Sequence, residues 1–158
     1  MKKLIFVLSF VGIGLFACSN NGSEDIKQNT ETKEENKVAP IEYLTAQTFK
    51  EKIYNYDVNK EWKFEGKTAV VIDFYADLCA PCRKMSPILE ELSKEYAGKI
   101  TFYKVNTEKE RELAAGFGIQ GIPAFLFIPL DGQPQMSTGY SEKAEFEKII
   151  FDILKIKK

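Results

Sequence analysis

The sequence predicts an α/β domain in which a central mixed β-sheet is flanked by helices and preceded by an N-terminal helical extension. The run at 68–76 is apolar except for Asp73, as expected of a central strand covered on both faces. The segment that follows carries apolar residues at helical spacing, namely Ile88, Leu89, Leu92 and Tyr96. Asp131-Gly132, between two later segments of strand character, is typical of a turn that joins neighbouring strands.

The region before the central strand predicts one helix. Residues 45–54 place Phe49 and Ile53 on one face, which indicates the N-terminal helix. The segment at 55–66 is rich in aromatic residues but has no clear period, and a short strand there is one interpretation.

The helix after the central strand has recognisable ends. Pro81 suits its first turn, where a missing backbone donor has little effect, and Gly98 follows Ala97 as a C-terminal stop. Pro87 lies inside the same helix and is expected to kink it.

A strand and a helix are predicted next. Residues 100–105 alternate in hydrophobicity, as in a strand. Thr107 and Glu110 have the spacing of a capping box, in which each side chain bonds to the other residue's backbone. We therefore expect a helix that continues to about Phe117.

The domain is expected to end with a hairpin and a helix. The apolar run at 124–128 predicts a strand, and Pro134 favours a position at the sheet edge for the strand after the turn. Ser141 is expected to begin the last helix. The order of elements after the N-terminal helix is thus β-α-β-α-β-β-α.

The N-terminus has the pattern of a secretory signal. Two lysines precede a 13-residue apolar stretch at 4–16, which is too short to span a bilayer as a stable helix. The segment 15–18 resembles a bacterial lipobox, which implies that Cys18 is acylated and becomes the mature N-terminus. We expect a lipoprotein signal at 1–17, with an ordinary signal peptide and an incidental Cys18 as the alternative.

Amino-acid composition changes near residue 40, from a polar segment to one with enough apolar residues for a folded domain. Residues 18–39 are polar and charge-rich, which predicts a flexible tether between a lipidated Cys18 and a domain at 41–158. Without residues 1–17 the chain has 20 basic and 23 acidic side chains, a formal charge of −3, which offers no basic surface for nucleic acid. We expect a monomer in the bacterial cell envelope, as a periplasm-facing or surface lipoprotein.

Cys79-Ala80-Pro81-Cys82 follows the central strand at the start of the predicted helix. Two cysteines three residues apart on a first helical turn can form a disulfide, and the helix N-terminus stabilises a thiolate. Zinc is a weaker interpretation, because a structural site needs four ligands and the chain has no histidine and only Cys18 besides this pair. A purely structural disulfide is a further alternative.

The segment 73–84 resembles the active-site segment of the thioredoxin superfamily, and Gly121-Ile122-Pro123 resembles the cis-proline loop of that family. The resemblance extends over about residues 66–156. It implies the thioredoxin fold, disulfide chemistry through Cys79 and Cys82 without a cofactor, and a cis peptide bond before Pro123.

The resemblance also implies roles for individual side chains. Lys104 matches a lysine that biases the charge of Asp73. Position alone predicts Cys79, at the helix start, as the nucleophile and Cys82, one turn inside, as the resolving thiol. Contacts with client proteins are expected from Tyr75, Leu78, Ala80, Pro81, Ile122 and Gly139. The alternatives are a solvated Lys104 and a Gly139 that only forms a turn.

Asp73 is the expected proton acceptor and donor. No histidine is present to take the proton when Cys82 attacks. A lone carboxylate within an apolar strand should be desolvated, which raises its pKa and suits it to this task. The alternative is that Asp73 marks an exposed strand end.

Three functions fit these features. The preferred one is a membrane-tethered protein-disulfide reductase, which receives electrons from a membrane donor and passes them to client proteins that contain disulfides. Pro81 favours reduction, since oxidases of the superfamily tend to carry a histidine between the cysteines. A disulfide oxidase or isomerase of secreted proteins and a non-catalytic binding lipoprotein are the alternatives. A dedicated role in cytochrome maturation is less favoured, because the segment 105–108 is short.

Overall fold

A mixed five-stranded sheet forms the centre of the computed structural model, which describes residues 40–158. The strands are β1 (Glu42–Tyr43), β2 (Ala69–Tyr75), β3 (Ile100–Asn106), β4 (Ala124–Ile128) and β5 (Gln135–Thr138). The helices are α1 (Ala46–Lys52), α2 (Ala80–Glu95), α3 (Arg111–Gly116) and α4 (Lys143–Leu154). The strand order is β1-β3-β2-β4-β5, in which β1, β3 and β2 are parallel, β4 is antiparallel to β2, and β5 is antiparallel to β4. The predicted α/β class and the predicted order of elements are confirmed.

The central strand β2 has two buried faces. All of its residues except Tyr75 are buried, as its apolar run predicts. Because side chains alternate along a strand, Val71 and Asp73 point to one face and Ile72 and Phe74 to the other. The two faces are covered by different pairs of helices.

Helices α2 and α4 cover the face of Val71. Met85 and Leu89 of α2 belong to one apolar cluster with Phe146 of α4 and residues of the sheet. The Phe146 ring is fully buried, and its centroid lies 4.8 Å from that of Phe125 and 5.5 Å from that of Phe127. This cluster fixes α2 against the sheet and therefore fixes the position of its first turn.

Helices α1 and α3 cover the opposite face. Phe49 of α1 and Leu113 of α3 are buried in a second cluster with Ile72 and Phe74. The Phe49 ring centroid lies 5.3 Å from that of Phe117, which follows α3. The N-terminal helix is thus part of the domain core.

The region around α1 differs from the prediction in two ways. The sequence did not predict β1, whose Glu42 and Tyr43 pair with β3, because a two-residue strand has no period to detect. The segment at 55–66 forms turns and bends and contains no strand in the described structure, so the short strand suggested there is wrong. Its Trp62 packs instead on Tyr54, with ring centroids 4.8 Å apart.

The capping box predicted for α3 is also wrong. The Thr107 hydroxyl donates a hydrogen bond to the Tyr75 carbonyl over 3.1 Å. A Glu110 carboxylate oxygen accepts one from the Ala46 backbone N–H over 2.8 Å. Neither side chain bonds to the backbone of the other residue. Thr107 instead connects the segment before α3 to β2, and Glu110 connects it to α1.

The last helix begins one residue after Glu142, so Ser141 does not begin it as predicted. Glu142 has extended backbone angles at this position, and no side chain in the described structure caps the helix there. β5 lies at the edge of the sheet, as Pro134 predicted.

The predicted signal at 1–17 and tether at 18–39, including Cys18, lie outside the described residues and stay predictions. No helix within residues 40–158 is long and apolar enough to cross a bilayer.

We expect the Phe146→Ala variant to lose about 3–5 kcal/mol of the free energy of unfolding, because the change leaves a cavity between two strand phenylalanines and α2. Urea denaturation followed by circular dichroism measures the loss. Phe151→Ala on the same helix is the matched control, since that ring is 40% exposed and its loss should change stability by less than about 1 kcal/mol. Equal losses in the two variants would contradict the assigned core.

Candidate active site

The dithiol lies where β2 leads into α2. Cys79 is the residue directly before α2 and forms a disulfide with Cys82 in the first turn. The Cys82 backbone N–H donates a hydrogen bond to the Cys79 sulfur over 3.1 Å, so this sulfur occupies the position of a helix cap. Free amide groups at a helix N-terminus favour negative charge, and after reduction they stabilise a thiolate at Cys79.

The two cysteine residues differ in access to solvent. Cys82 is 2% exposed, whereas Cys79 is partly exposed beside Leu78, whose side chain is 86% exposed. An attack on a client disulfide requires an accessible sulfur, and the subsequent intramolecular attack does not. This difference supports Cys79 as the nucleophile and Cys82 as the resolving thiol.

Asp73 lies inside the domain, on the face of β2 that α2 covers. The residue is 1% exposed, so it does not mark an exposed strand end. Neither carboxylate oxygen accepts a hydrogen bond from any residue within 40–158. Lys104 lies opposite Asp73 on β3, and its Nζ is 4.0 Å from Oδ2. This distance is too long for a hydrogen bond.

Burial controls the charge of Asp73. Desolvation raises the pKa of the Asp73 carboxyl from its ordinary value of 3.8 to about 7, and the positive charge of Lys104 offsets part of this rise. A carboxyl with a pKa near neutrality can both accept and donate a proton at physiological pH. The pKa of Asp73 is thus raised, as its apolar strand predicted, while its part in proton transfer stays a prediction.

Lys104 is buried rather than solvated. Its Nζ donates a hydrogen bond to the Ser86 hydroxyl over 2.7 Å and lies 5.5 Å from the centroid of the Tyr75 ring. The lysine therefore lies between Asp73 on its own sheet and Ser86 on α2. This position is consistent with its predicted effect on the charge of Asp73.

The loop before β4 contains the predicted proline. The peptide bond between Ile122 and Pro123 is cis, Pro123 is buried, and Ile122 is partly exposed. The Pro123 carbonyl accepts a hydrogen bond from the Gly139 backbone N–H over 2.8 Å. Gly139 has a φ of 99°, which glycine adopts without strain. Gly139 is therefore both a turn residue and a direct neighbour of this loop.

The other residues predicted to contact clients lie in two places. The exposed residues around Cys79 are Leu78, Ala80 and Pro81. Tyr75 lies apart from them. Its ring is steeply inclined to that of Tyr43, with centroids 6.0 Å apart, and its face lies near Lys104. Contact with clients stays a prediction for all of these residues, and Tyr75 also belongs to the surroundings of Lys104.

Ser86 bonds to Lys104, the buried neighbour of Asp73, although the sequence did not identify Ser86 as a site residue. It lies four residues after Cys82 on α2, and residues at this spacing are neighbours on one helix face. That spacing from a predicted site cysteine is the signal that could have identified it. In the described part of the chain no group of three or more cysteine, aspartate or glutamate side chains is arranged to hold a metal ion.

Comparison with known proteins gives consistent matches. The family model described as thioredoxin matches residues 40–152. Thioredoxin from Borreliella burgdorferi is 47% identical over 109 residues, which are 69% of this chain and 93% of that protein. Thioredoxin from Alicyclobacillus acidocaldarius is 34% identical over 98 residues, which are 62% of this chain and 93% of that protein.

The fold also matches a solved structure. A crystal structure of chloroplastic thioredoxin z superposes with a TM-score of 0.60 and 23% identity, and the match covers 73% of this chain and 95% of that one. Fold and site together define a disulfide oxidoreductase with the thioredoxin fold, as predicted. The chain belongs to the thioredoxin family.

We expect the stability of the disulfide form to fall with rising pH because of Asp73. Between about pH 4 and pH 7 the folded state keeps the Asp73 proton and the unfolded state does not, so unfolding releases a proton. The free energy of unfolding should therefore fall by up to about 1.4 kcal/mol per pH unit in this window and level off above it. Urea denaturation across this range measures the slope.

The Asp73→Asn variant should lose this part of the slope and should be more stable than the unchanged protein above pH 7. Asp77→Asn, on the exposed segment just before Cys79, is the control and should keep the slope. An unchanged slope in Asp73→Asn would show that this carboxyl ionises alike in the folded and unfolded states.

Proposed function

We propose that this chain is a protein-disulfide reductase that acts outside the cytoplasm on client proteins. The observation that carries the proposal is the arrangement of a partly exposed Cys79 at the N-terminus of α2, a buried Cys82, and a buried Asp73 on the sheet face beneath that helix. This arrangement separates a sulfur that can meet a client from a carboxyl that can move a proton.

The proposed reaction has two thiol–disulfide exchanges. The Cys79 thiolate attacks a client disulfide, forms a bond to one client sulfur and releases the other as a thiolate. The Cys82 thiol then gives its proton to the Asp73 carboxylate through water, and its thiolate attacks the Cys79 sulfur. The bond between Cys79 and the client breaks, the client leaves with both sulfurs reduced, and the 79–82 disulfide remains.

One feature of the site and one comparison support reduction as the direction. Pro81 stands between the cysteines, where oxidases of the superfamily tend to carry a histidine that would stabilise the thiolate further. The similarity to the Borreliella burgdorferi thioredoxin covers nearly the whole of that protein. The oxidised enzyme then needs electrons again, and outside the cytoplasm we propose a membrane-borne donor.

The location of the enzyme is proposed from the N-terminal sequence. The apolar stretch at 4–16 followed by Cys18 supports export and lipid attachment, and the polar residues 18–39 would hold the domain away from the lipid headgroups. More than one acyl chain on Cys18 would give stable anchoring.

We expect the reduction potential of the 79–82 disulfide to be about −250 mV or lower, close to the value of about −270 mV known for thioredoxin. Equilibration of the purified protein with dithiothreitol or glutathione, followed by alkylation of free thiols, measures it. A potential near −150 mV, toward the range of disulfide isomerase and DsbA, would replace the reductase proposal with the oxidase or isomerase alternative.

We expect an alkyne-labelled fatty acid supplied to expressing cells to become attached to the protein at Cys18. The Cys18→Ala variant should carry no label, while Cys79→Ala, which changes a cysteine of the folded domain, should keep it. Absence of label from the unchanged protein, or label retained by Cys18→Ala, would contradict lipid anchoring at this residue.

A further inference from the structure

We propose that Ser86 is a positioning residue for the disulfide chemistry. Its hydroxyl, on α2, accepts a hydrogen bond from the Lys104 ammonium and so keeps that ammonium beyond hydrogen-bond distance from Asp73. The Lys104 Nζ lies 2.7 Å from the Ser86 Oγ and 4.0 Å from the Asp73 Oδ2. The inference rests on the proposed role of Asp73 as the group that exchanges a proton with Cys82.

Lys104 lies against α2 and borders a cavity that Glu90 and Ser93 of that helix also line. The side chain is buried, and the Ser86 hydroxyl is its only hydrogen-bond acceptor among residues 40–158. The Tyr75 ring face offers a weaker electrostatic contact at 5.5 Å. A buried ammonium without an acceptor is strongly unfavourable, so a Lys104 deprived of Ser86 would turn toward the Asp73 carboxylate.

The distance between Lys104 and Asp73 determines how readily the carboxyl keeps its proton. A direct ion pair stabilises the carboxylate and lowers the pKa of an aspartate, whereas the present separation leaves both Asp73 oxygens without a hydrogen bond in the described structure. By diverting the ammonium, Ser86 keeps Asp73 available as a proton donor near neutral pH.

Few other ionisable groups face Asp73. β3 contributes Lys104, its own strand contributes Tyr75, and β4 contributes the apolar Phe125 opposite it. Helix α2 contributes Cys82 and Ser86 on its buried side, and Cys82 does not titrate while it is in the disulfide. In the disulfide state the titration of Asp73 can therefore be followed without interference from the cysteines.

Reduction of the disulfide by dithiothreitol provides the test. A dithiothreitol thiolate attacks the Cys79 sulfur, the bond between Cys79 and Cys82 breaks, and its electron pair goes to the Cys82 sulfur, which takes a proton from the Asp73 carboxyl. The second dithiothreitol thiol then displaces Cys79 and leaves oxidised dithiothreitol. The thiolate fraction of dithiothreitol rises with pH, so the measured rate of disulfide reduction is divided by that fraction. This corrected rate should fall as Asp73 loses its proton.

The experiment measures this corrected rate for the full-length protein in detergent from about pH 5 to about pH 9. Samples are quenched with acid and alkylated, and the peptides containing Cys79 and Cys82 are quantified by mass spectrometry. Ser86→Ala should shift the midpoint of the profile to lower pH by about one unit or more, as expected for an aspartate that gains a close cation.

Three further single variants and one double variant test how Ser86 acts. Ser86→Thr keeps the hydroxyl and should restore the midpoint of the unchanged protein. Ser93→Ala is the matched control two turns along the same helix. Among residues 40–158 its hydroxyl bonds to the Glu90 carbonyl alone, so its loss should leave the midpoint unchanged. Lys104→Met should move the midpoint to higher pH, and adding Ser86→Ala to it should cause no further shift.

An unshifted or raised midpoint in Ser86→Ala would overturn the inference, as would a shift by Ser86→Ala that persists in the Lys104→Met background. Asp73→Asn separates this failure from that of the proposed proton transfer. A flat profile in Asp73→Asn with no effect of Ser86→Ala would overturn only the role of Ser86. An unchanged profile in Asp73→Asn would overturn both roles.

Discussion

Asp73 occupies a strand whose residues from Ala69 to Phe74 are otherwise all apolar, and no hydrogen bond from residues 40–158 reaches its carboxylate oxygens. Burying a charge in such a place is strongly unfavourable, and the group responds by holding its proton to a higher pH. The fold can keep this unfavourable group because β2 is fixed on both faces by large apolar clusters. The proposed proton transfer depends on this one carboxyl being neither solvated nor in a direct ion pair.

Helix α2 connects the carboxyl with the dithiol. Its first turn holds the disulfide, its second turn presents Ser86 to Lys104, and its later turns supply Leu89 and Leu92 to the core. A change in the packing of this helix would therefore move the two sulfurs and Ser86 together. We therefore expect the apolar cluster that packs α2 and α4 against the sheet to affect both the stability of the domain and the reactivity of the dithiol.

Much of the fold could be predicted from the sequence because its main signals are local. The apolar run of β2, the proline in the first turn of α2 and the Asp131-Gly132 turn each depend on residues close together in the chain. β1 could not be predicted, because two residues carry no period. The contacts of Thr107 and Glu110 could not be predicted either, since their partners lie 32 and 64 residues away.

The site, like the fold, has features that local sequence predicts and features that it does not. The burial of Asp73 follows from its apolar neighbours, and the disulfide follows from the spacing of Cys79 and Cys82. The contact of Ser86 with Lys104 depends on how α2 crosses β3, which no local pattern specifies.

The most direct test of this account is a carbon NMR titration of the Asp73 carboxyl in the oxidised protein. The account predicts a midpoint near pH 7, and a midpoint near the ordinary value of 3.8 would contradict it.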